Sequence, residues 1–154
     1  MDDVAQRLNE VWQKLHAIPE PAFQEVKTAA YLAAALKKAG YMVKEQVAGT
    51  GVVGVFDSGS PGPVAALRTD MDCLLFKQPD GTMRGIHACG HDAHMAMVLV
   101  AAERLAAAGI SRGKVKIICQ PAEEIGQGAL AMMKAGALDE VDYLFGQHVM
   151  PLTM

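Results

Sequence analysis

Apolar residues recur at helical spacing from the start of the chain. Val4, Leu8, Val11 and Leu15 place one stripe on a first helix, which Pro19 and Pro21 stop. A second helix is predicted over Glu25 to Ala39; it is rich in Ala and Leu, carries Lys37 and Lys38 in its last turn and stops at Gly40. The pattern then changes to short β-like runs. "YMVKEQV" alternates in part, "GVVGVF" is Val-rich between glycines, and "PVAALRTD" follows the turn signal "SGSPG". "DAHMAMVLVAAERLAAAG" predicts a long helix with Asp92 as its N-cap and Gly109 as its end. A strand in "KVKIICQP", a short helix in "GALAMMKAG" closing on Gly136 and a last strand in "VDYLFGQHV" complete the series.

Strands alternating with helices predict an α/β layered fold with a largely parallel sheet. Sites in such folds lie beyond the carboxyl ends of the strands. The polar clusters of this chain fall at such ends: Asp70 and Asp72 after "VAAL", Glu123 and Glu124 after "VKIIC", and His148 at the end of "YLFGQH".

Bulk properties narrow the class. The 154 residues suffice for one domain with a core, and a hydrophobic fraction of 51% without low-complexity tracts predicts a globular chain. A net charge of −3 carries no basic excess, so no nucleic-acid partner is expected. Apolar runs such as "AMVLVAA" are too short to span a bilayer, and Met1-Asp2-Asp3 does not open a signal peptide. Three irregularly spaced cysteines do not make a disulfide framework, which points to a reducing cytoplasm. "VMPLTM" follows a strand directly, with no closing helix, and this predicts a fragment of something longer.

The candidate chemistry concentrates in "HACGHDAH", His87 to His94, which holds three of the five histidines and one of the three cysteines. If the segment is extended, Cys89 and His91 project to one side, and a thiolate and an imidazole can converge on one ion. The positive end of the following helix would lower the thiol pKa. A structural cysteine with surface histidines is the plain alternative. A Cys89 nucleophile is another, but parallel neighbours rarely make the in-line hydrogen bond that base activation needs. In "PAEEIGQG" the adjacent Glu123 and Glu124 read alone as surface charge at a helix start. Beside a metal, one can ligate while the other takes a proton from water. Asp70 or Asp72 could fix the tautomer of a ligand imidazole, or simply belong to a strand-end turn. His148 and His16 alone read as satisfied core residues. "GTGVVG" matches a dinucleotide fingerprint, but "VFDSGSPG" follows it where a helix is required, so its glycines are assigned to a turn and a strand.

Taken in order, "LHAIPEPAFQE", "ALRTDMD", "IHACGHDAHMAMVLVAA", "QPAEEIGQGALAMMKAGAL" and "DYLFGQHV" closely resemble the M20 metallopeptidase family, in its amidohydrolase branch of N-acyl-amino-acid and hippurate hydrolases. The resemblance spans essentially the whole chain. It implies a zinc-peptidase-like catalytic domain with two divalent ions (manganese, zinc, cobalt or nickel). It implies Cys89, His91, Glu124 and His148 as ligands, Glu123 as general base, Asp72 as a supporting acid, and His94 near the site without a defined role. The implied reaction is hydrolysis of the amide bond of small N-acyl amino acids or related conjugates, in a homodimeric parent.

Two departures stand out. The aspartate motif usually continues into a proline, whereas here "DMDCLLF" carries Leu75 and Phe76. Family members are also much longer, with an inserted lid or dimerisation domain and a returning segment that supplies a last histidine. Residues 1–154 therefore match the N-terminal part of the catalytic domain, and a catalytically silent fragment that binds metal weakly is the second expectation.

Overall fold

The computed structural model describes residues 2–149. Helix α1 (Asp2–His16) and helix α2 (Val26–Lys38) are followed by strands β1 (Met42–Val47), β2 (Gly51–Asp57) and β3 (Val64–Asp70). A hairpin of β4 (Leu74–Lys77) and β5 (Met83–Ile86) leads to helix α3 (His91–Ala108). Strand β6 (Lys114–Gln120), helix α4 (Gly128–Lys134) and strand β7 (Tyr143–Gly146) complete the series.

Five strands form one sheet in the order β1-β2-β6-β3-β7. The α/β class and the largely parallel sheet are as expected, with β2 alone running against the other four strands. β6, β3 and β7 run parallel, while β1–β2 and β2–β6 are antiparallel. The reason lies in the chain: Ala48, Gly49 and Thr50 alone link β1 to β2, and so short a link permits only an antiparallel pair. The hairpin β4–β5 has no counterpart in the predicted elements and stands apart as a two-stranded sheet. It joins the body through a bridge between Pro21 and Cys73.

Helices α1, α2 and α3 cover one sheet face. Leu15, Leu32, Leu36, Met95, Leu99 and Ile117 form the centre of that core, all nearly solvent-free. A smaller cluster on the other face joins Val53, Ala66 and Ile118 to Met132 of α4. The stripe predicted for α1 is real, with Val11 and Leu15 fully buried. Helix α3 begins differently from the expectation. Its N-cap is Gly90, at φ 80°, and Asp92 lies inside the first turn. There the Asp92 carboxylate accepts a hydrogen bond from His16 Nδ1 at 2.7 Å, so His16 caps nothing in the core and is half-exposed. No helix among the described residues is long and apolar enough to cross a membrane.

Tyr41 ties α3 to the sheet: its hydroxyl donates to the Ala102 carbonyl at 3.0 Å, and burial pushes its pKa up to about 12. A phenol raised above its unfolded pKa of about 10 contributes stability below that pH and loses it as pH rises through the folded value. The chain should therefore destabilise more between pH 10 and 12 than Tyr41→Phe does. Parallel losses in both proteins, followed by urea unfolding, would refute this assignment.

Candidate metal centre

The three parallel strands end together, and the loops beyond their carboxyl ends carry the polar cluster. β3 ends in Asp70 and runs on to Asp72; both side chains are fully buried. β6 runs into Pro121, Ala122, Glu123 and Glu124, a looped turn rather than a helix start. Beyond β7 the chain reaches His148, which is exposed and past the strand end, not a core residue of the strand.

Cys89 and His91 do converge, but not by extended geometry. Ala88 and Cys89 form a turn, Gly90 adopts a left-handed conformation, and His91 is the first residue of α3. Gly90 is called for by its backbone, since a φ of 80° disfavours a side chain.

His91 is the hub. Its Nδ1–H donates to the Asp72 backbone carbonyl at 2.8 Å. That contact leaves the Nε2 lone pair free, and it has no hydrogen-bond partner although it is buried. Around it stand Glu123 Oε2 at 3.5 Å, Asp70 Oδ2 at 3.7 Å and Glu124 Oε1 at 3.8 Å. Glu124 Oε1 is likewise buried and unpartnered. One ligand atom each from Cys89, His91 and Glu124 lies within 4.8 Å of the others. Two donors each about 2.1 Å from one ion sit roughly 3.4 Å apart at a tetrahedral angle. The orphaned atoms are thus too distant to bond one another and spaced to share a cation.

Asp72 braces this arrangement. Its Oδ2 accepts the Glu124 backbone N–H at 3.0 Å. Burial pushes its carboxyl up, but the His91 imidazole and the N–H groups of Glu124 and Glu123 win, and its pKa falls below the usual value. Burial likewise pushes His91 down, but Asp72 and Asp70 raise it overall. Burial alone is the main reason His87, with neither ring nitrogen partnered, is lowered.

The expected low thiol pKa is not found. Cys89 is pushed up to about 11, first by the adjacent Glu124 carboxylate and then by burial. Carboxylates outweigh the helix dipole, whose contribution is small near so many full charges. A bound cation inverts that balance, because it stabilises the thiolate directly.

A second group joins His91, His94 and His148. His94 is fully buried and already satisfied. Its Nε2 accepts the Val149 N–H at 2.9 Å, so its Nδ1–H donates to Asp70 Oδ1 at 2.8 Å. His148 donates from Nδ1 to the Val149 carbonyl at 2.7 Å and keeps Nε2 free. His91 and His148 are therefore the available donors of this group, with His94 holding the frame.

Sequence reasoning underrated Asp70. Besides His94 it pairs with Arg68 Nη1 at 2.7 Å, and Arg68 Nε donates to Gln120 Oε1 at 2.9 Å, linking the ends of β3 and β6. The alternation in "LRTD" could have revealed Arg68 and Asp70 as same-side neighbours. It also missed Glu25, whose partners lie far away in sequence.

An α/β domain that gathers thiol, imidazole and carboxylate donors at the ends of parallel strands belongs to a metal-binding class. The model of peptidase family M20/M25/M40 matches residues 66–154, more than half of the chain, and the chain belongs to that family. It is 38% identical to the hippurate hydrolase of Campylobacter jejuni, over 97% of this chain and 41% of that protein. It is 39% identical to IAA-amino acid hydrolase ILR1-like 6 of Arabidopsis thaliana, over 92% of this chain and 32% of the other. Among solved structures, the YXEP protein of Bacillus subtilis, a dinuclear metal binding peptidase of the M20 family, superposes with a TM-score of 0.88 at 33% identity. That match covers 98% of this chain and 44% of the other. The chain thus spans less than half the length of these relatives.

Proposed function

We propose that the polypeptide carrying this chain is a metal-dependent amidohydrolase that cleaves the amide bond of N-acyl amino acids or related small conjugates. The unpartnered His91 Nε2, ringed by the Glu123 and Glu124 carboxylates, carries this reading. Cys89, His91, Glu124 and His148 hold two divalent ions, and the mixed donor set admits manganese, zinc, cobalt or nickel. Bound there, the ions supply the Lewis acidity that lowers the pKa of water from about 16 toward about 7 and polarises the substrate carbonyl.

The chain's own residues do the rest. Glu123, with 39% of its side chain exposed, reaches solvent and takes the water proton, then returns it to the leaving amine. The Asp72 carbonyl keeps His91 in the tautomer that offers Nε2, and the Asp72 carboxylate fixes the Glu124 backbone. The names of the Campylobacter and Arabidopsis relatives support an amide conjugate as substrate.

In this reading residues 1–154 are the N-terminal part of a catalytic domain, with a lid or dimerisation domain and a returning segment contributed by the longer polypeptide, which forms a homodimer. The coverage of under half of each relative supports a longer polypeptide, while the homodimer rests on the family resemblance alone. A cytoplasmic location accords with Cys73, Cys89 and Cys119 all being free thiols.

A protonated thiol beside a carboxylate is a poor nucleophile, which weighs against catalysis by Cys89. Chelation should abolish hydrolysis of N-acyl amino acids by the full polypeptide, and manganese, zinc or cobalt should restore it. Activity that survives chelation but is lost to thiol alkylation overturns the proposal in favour of a cysteine hydrolase.

A further inference from the structure

The segment "LHAIPEPAFQE" has no part in the chemistry above, yet it meets three of the four segments that carry the metal centre, those after β3, at the start of α3 and after β6. At its upstream end His16 holds Asp92, one residue past His91. In the middle the Glu20 carbonyl accepts the Cys73 N–H at 2.9 Å, and Pro21 bridges to Cys73, one residue past Asp72. At its downstream end Glu25 reaches Ala122, one residue before Glu123.

Glu25 is the most constrained of these contacts. Its side chain is fully buried. Oε1 accepts the Phe23 N–H at 3.0 Å and the Ala122 N–H at 2.9 Å, while Oε2 accepts the Thr50 hydroxyl. Three donors account for how a carboxylate is accommodated without solvent. Phe23 and Ala122 are both non-glycine residues in the left-handed region, at φ 58° and 51°. Such conformations persist only where the surroundings impose them, and here one oxygen atom grips the N–H of each.

The Ala122 carbonyl is fixed as well, accepting Gly128 N–H at 3.0 Å and Gln127 N–H at 3.3 Å. That closure is tight, since a Cβ on Gly128 would sit 1.5 Å from the Pro121 carbonyl oxygen. With the peptide groups on both sides of Ala122 held, the direction in which the chain leaves toward Glu123 and Glu124 is set.

We propose that Glu25 is a positioning residue of the metal centre, holding the Ala122 turn so that Glu123 and Glu124 face His91. It touches neither metal nor substrate and acts through the backbone of the loop. This rests on the metal-centre reading above.

The test is cobalt binding to the full polypeptide, read by its visible ligand-field bands and by the thiolate-to-cobalt charge-transfer band that reports Cys89. Glu25→Gln keeps Oε1 for both N–H groups, and the Thr50 hydroxyl can turn to accept from the new amide. It should bind cobalt within about threefold of the native polypeptide, with the same bands. Glu25→Asp keeps the charge but is one methylene too short to reach both N–H groups. It should bind about 10- to 100-fold more weakly, the range seen when support of a metal ligand is lost, with shifted ligand-field bands. Thr50→Val, a milder cut at the same carboxylate from a half-exposed residue, should weaken cobalt by a smaller factor and keeps the test open if Glu25→Asp does not fold. Native affinity and bands in a folded Glu25→Asp, or in Thr50→Val where the former fails to fold, overturn the positioning role alone. If the native full polypeptide gives no cobalt spectrum, the metal-centre reading falls and this one with it.

Discussion

Glu123→Gln is expected to lower amide hydrolysis about a hundred- to ten-thousandfold while leaving the bound metal in place. The two side chains have the same shape, but the amide has no basic oxygen with which to take a proton from water. Metal retention follows from the donors: Cys89, His91 and Glu124 form a group without Glu123. Stability should change by no more than about 0.5 kcal/mol, because the Glu123 side chain is 39% exposed and outside the packed core. Turnover numbers and metal content per chain, measured on the same preparation of the full polypeptide, decide the matter. Near-native turnover removes Glu123 from the role of base, and loss of metal together with turnover makes it a ligand instead.

Asp70→Ala should be the most damaging change to stability among the site residues. The carboxylate is fully buried and answers two charged or polar partners at once, Arg68 Nη1 at 2.7 Å and His94 Nδ1 at 2.8 Å. Breaking a buried ion pair by removing one partner costs about 3–5 kcal/mol. The lower end applies, since Arg68 keeps 24% of its side-chain surface in water and can turn outward. His94 cannot turn outward: it is fully buried, and its Nδ1–H would lose its acceptor. Asp70→Asn retains an acceptor for His94 and should cost less. Equal losses in the two variants, measured by urea unfolding, would show that the charge rather than the His94 contact is what matters.

Long periodic elements were legible in the sequence because burial dictates them. The α1 stripe, the apolar run of α3 and the Val-rich strands each bury the residues their patterns select. Position within the sheet was less legible. Placing β6 between β2 and β3 depends on nonlocal pairing, which leaves no local mark. The β4–β5 hairpin is a genuine omission, since "QPDGT" is a turn signal, and Gln78 and Thr82 close it through a backbone hydrogen bond of 2.8 Å. At the site, Cys89, His91, Glu123 and Glu124 stood out because few other roles call for those side chains together. The route by which Cys89 and His91 meet was misread: an extended segment was expected, and a left-handed Gly90 does the work. Glu25 was invisible for a physical reason. Two of its three partners are main-chain N–H groups, which every residue but proline carries, so no residue type announces them.

The place of β6 also governs the order in which the molecule can assemble. Lys116 pairs with Val55 on one side and with Ala66 on the other. During synthesis, β2 and β3 are complete while the strand that belongs between them is still unmade. Each then has an open edge, able to pair wrongly with the other or with a neighbouring chain. Closure waits for Gln120, and with it the Ala122 turn and both glutamates. The metal centre therefore cannot form before β6 is made, and insertion of one central strand between two that came long before it is the expected slow step of folding.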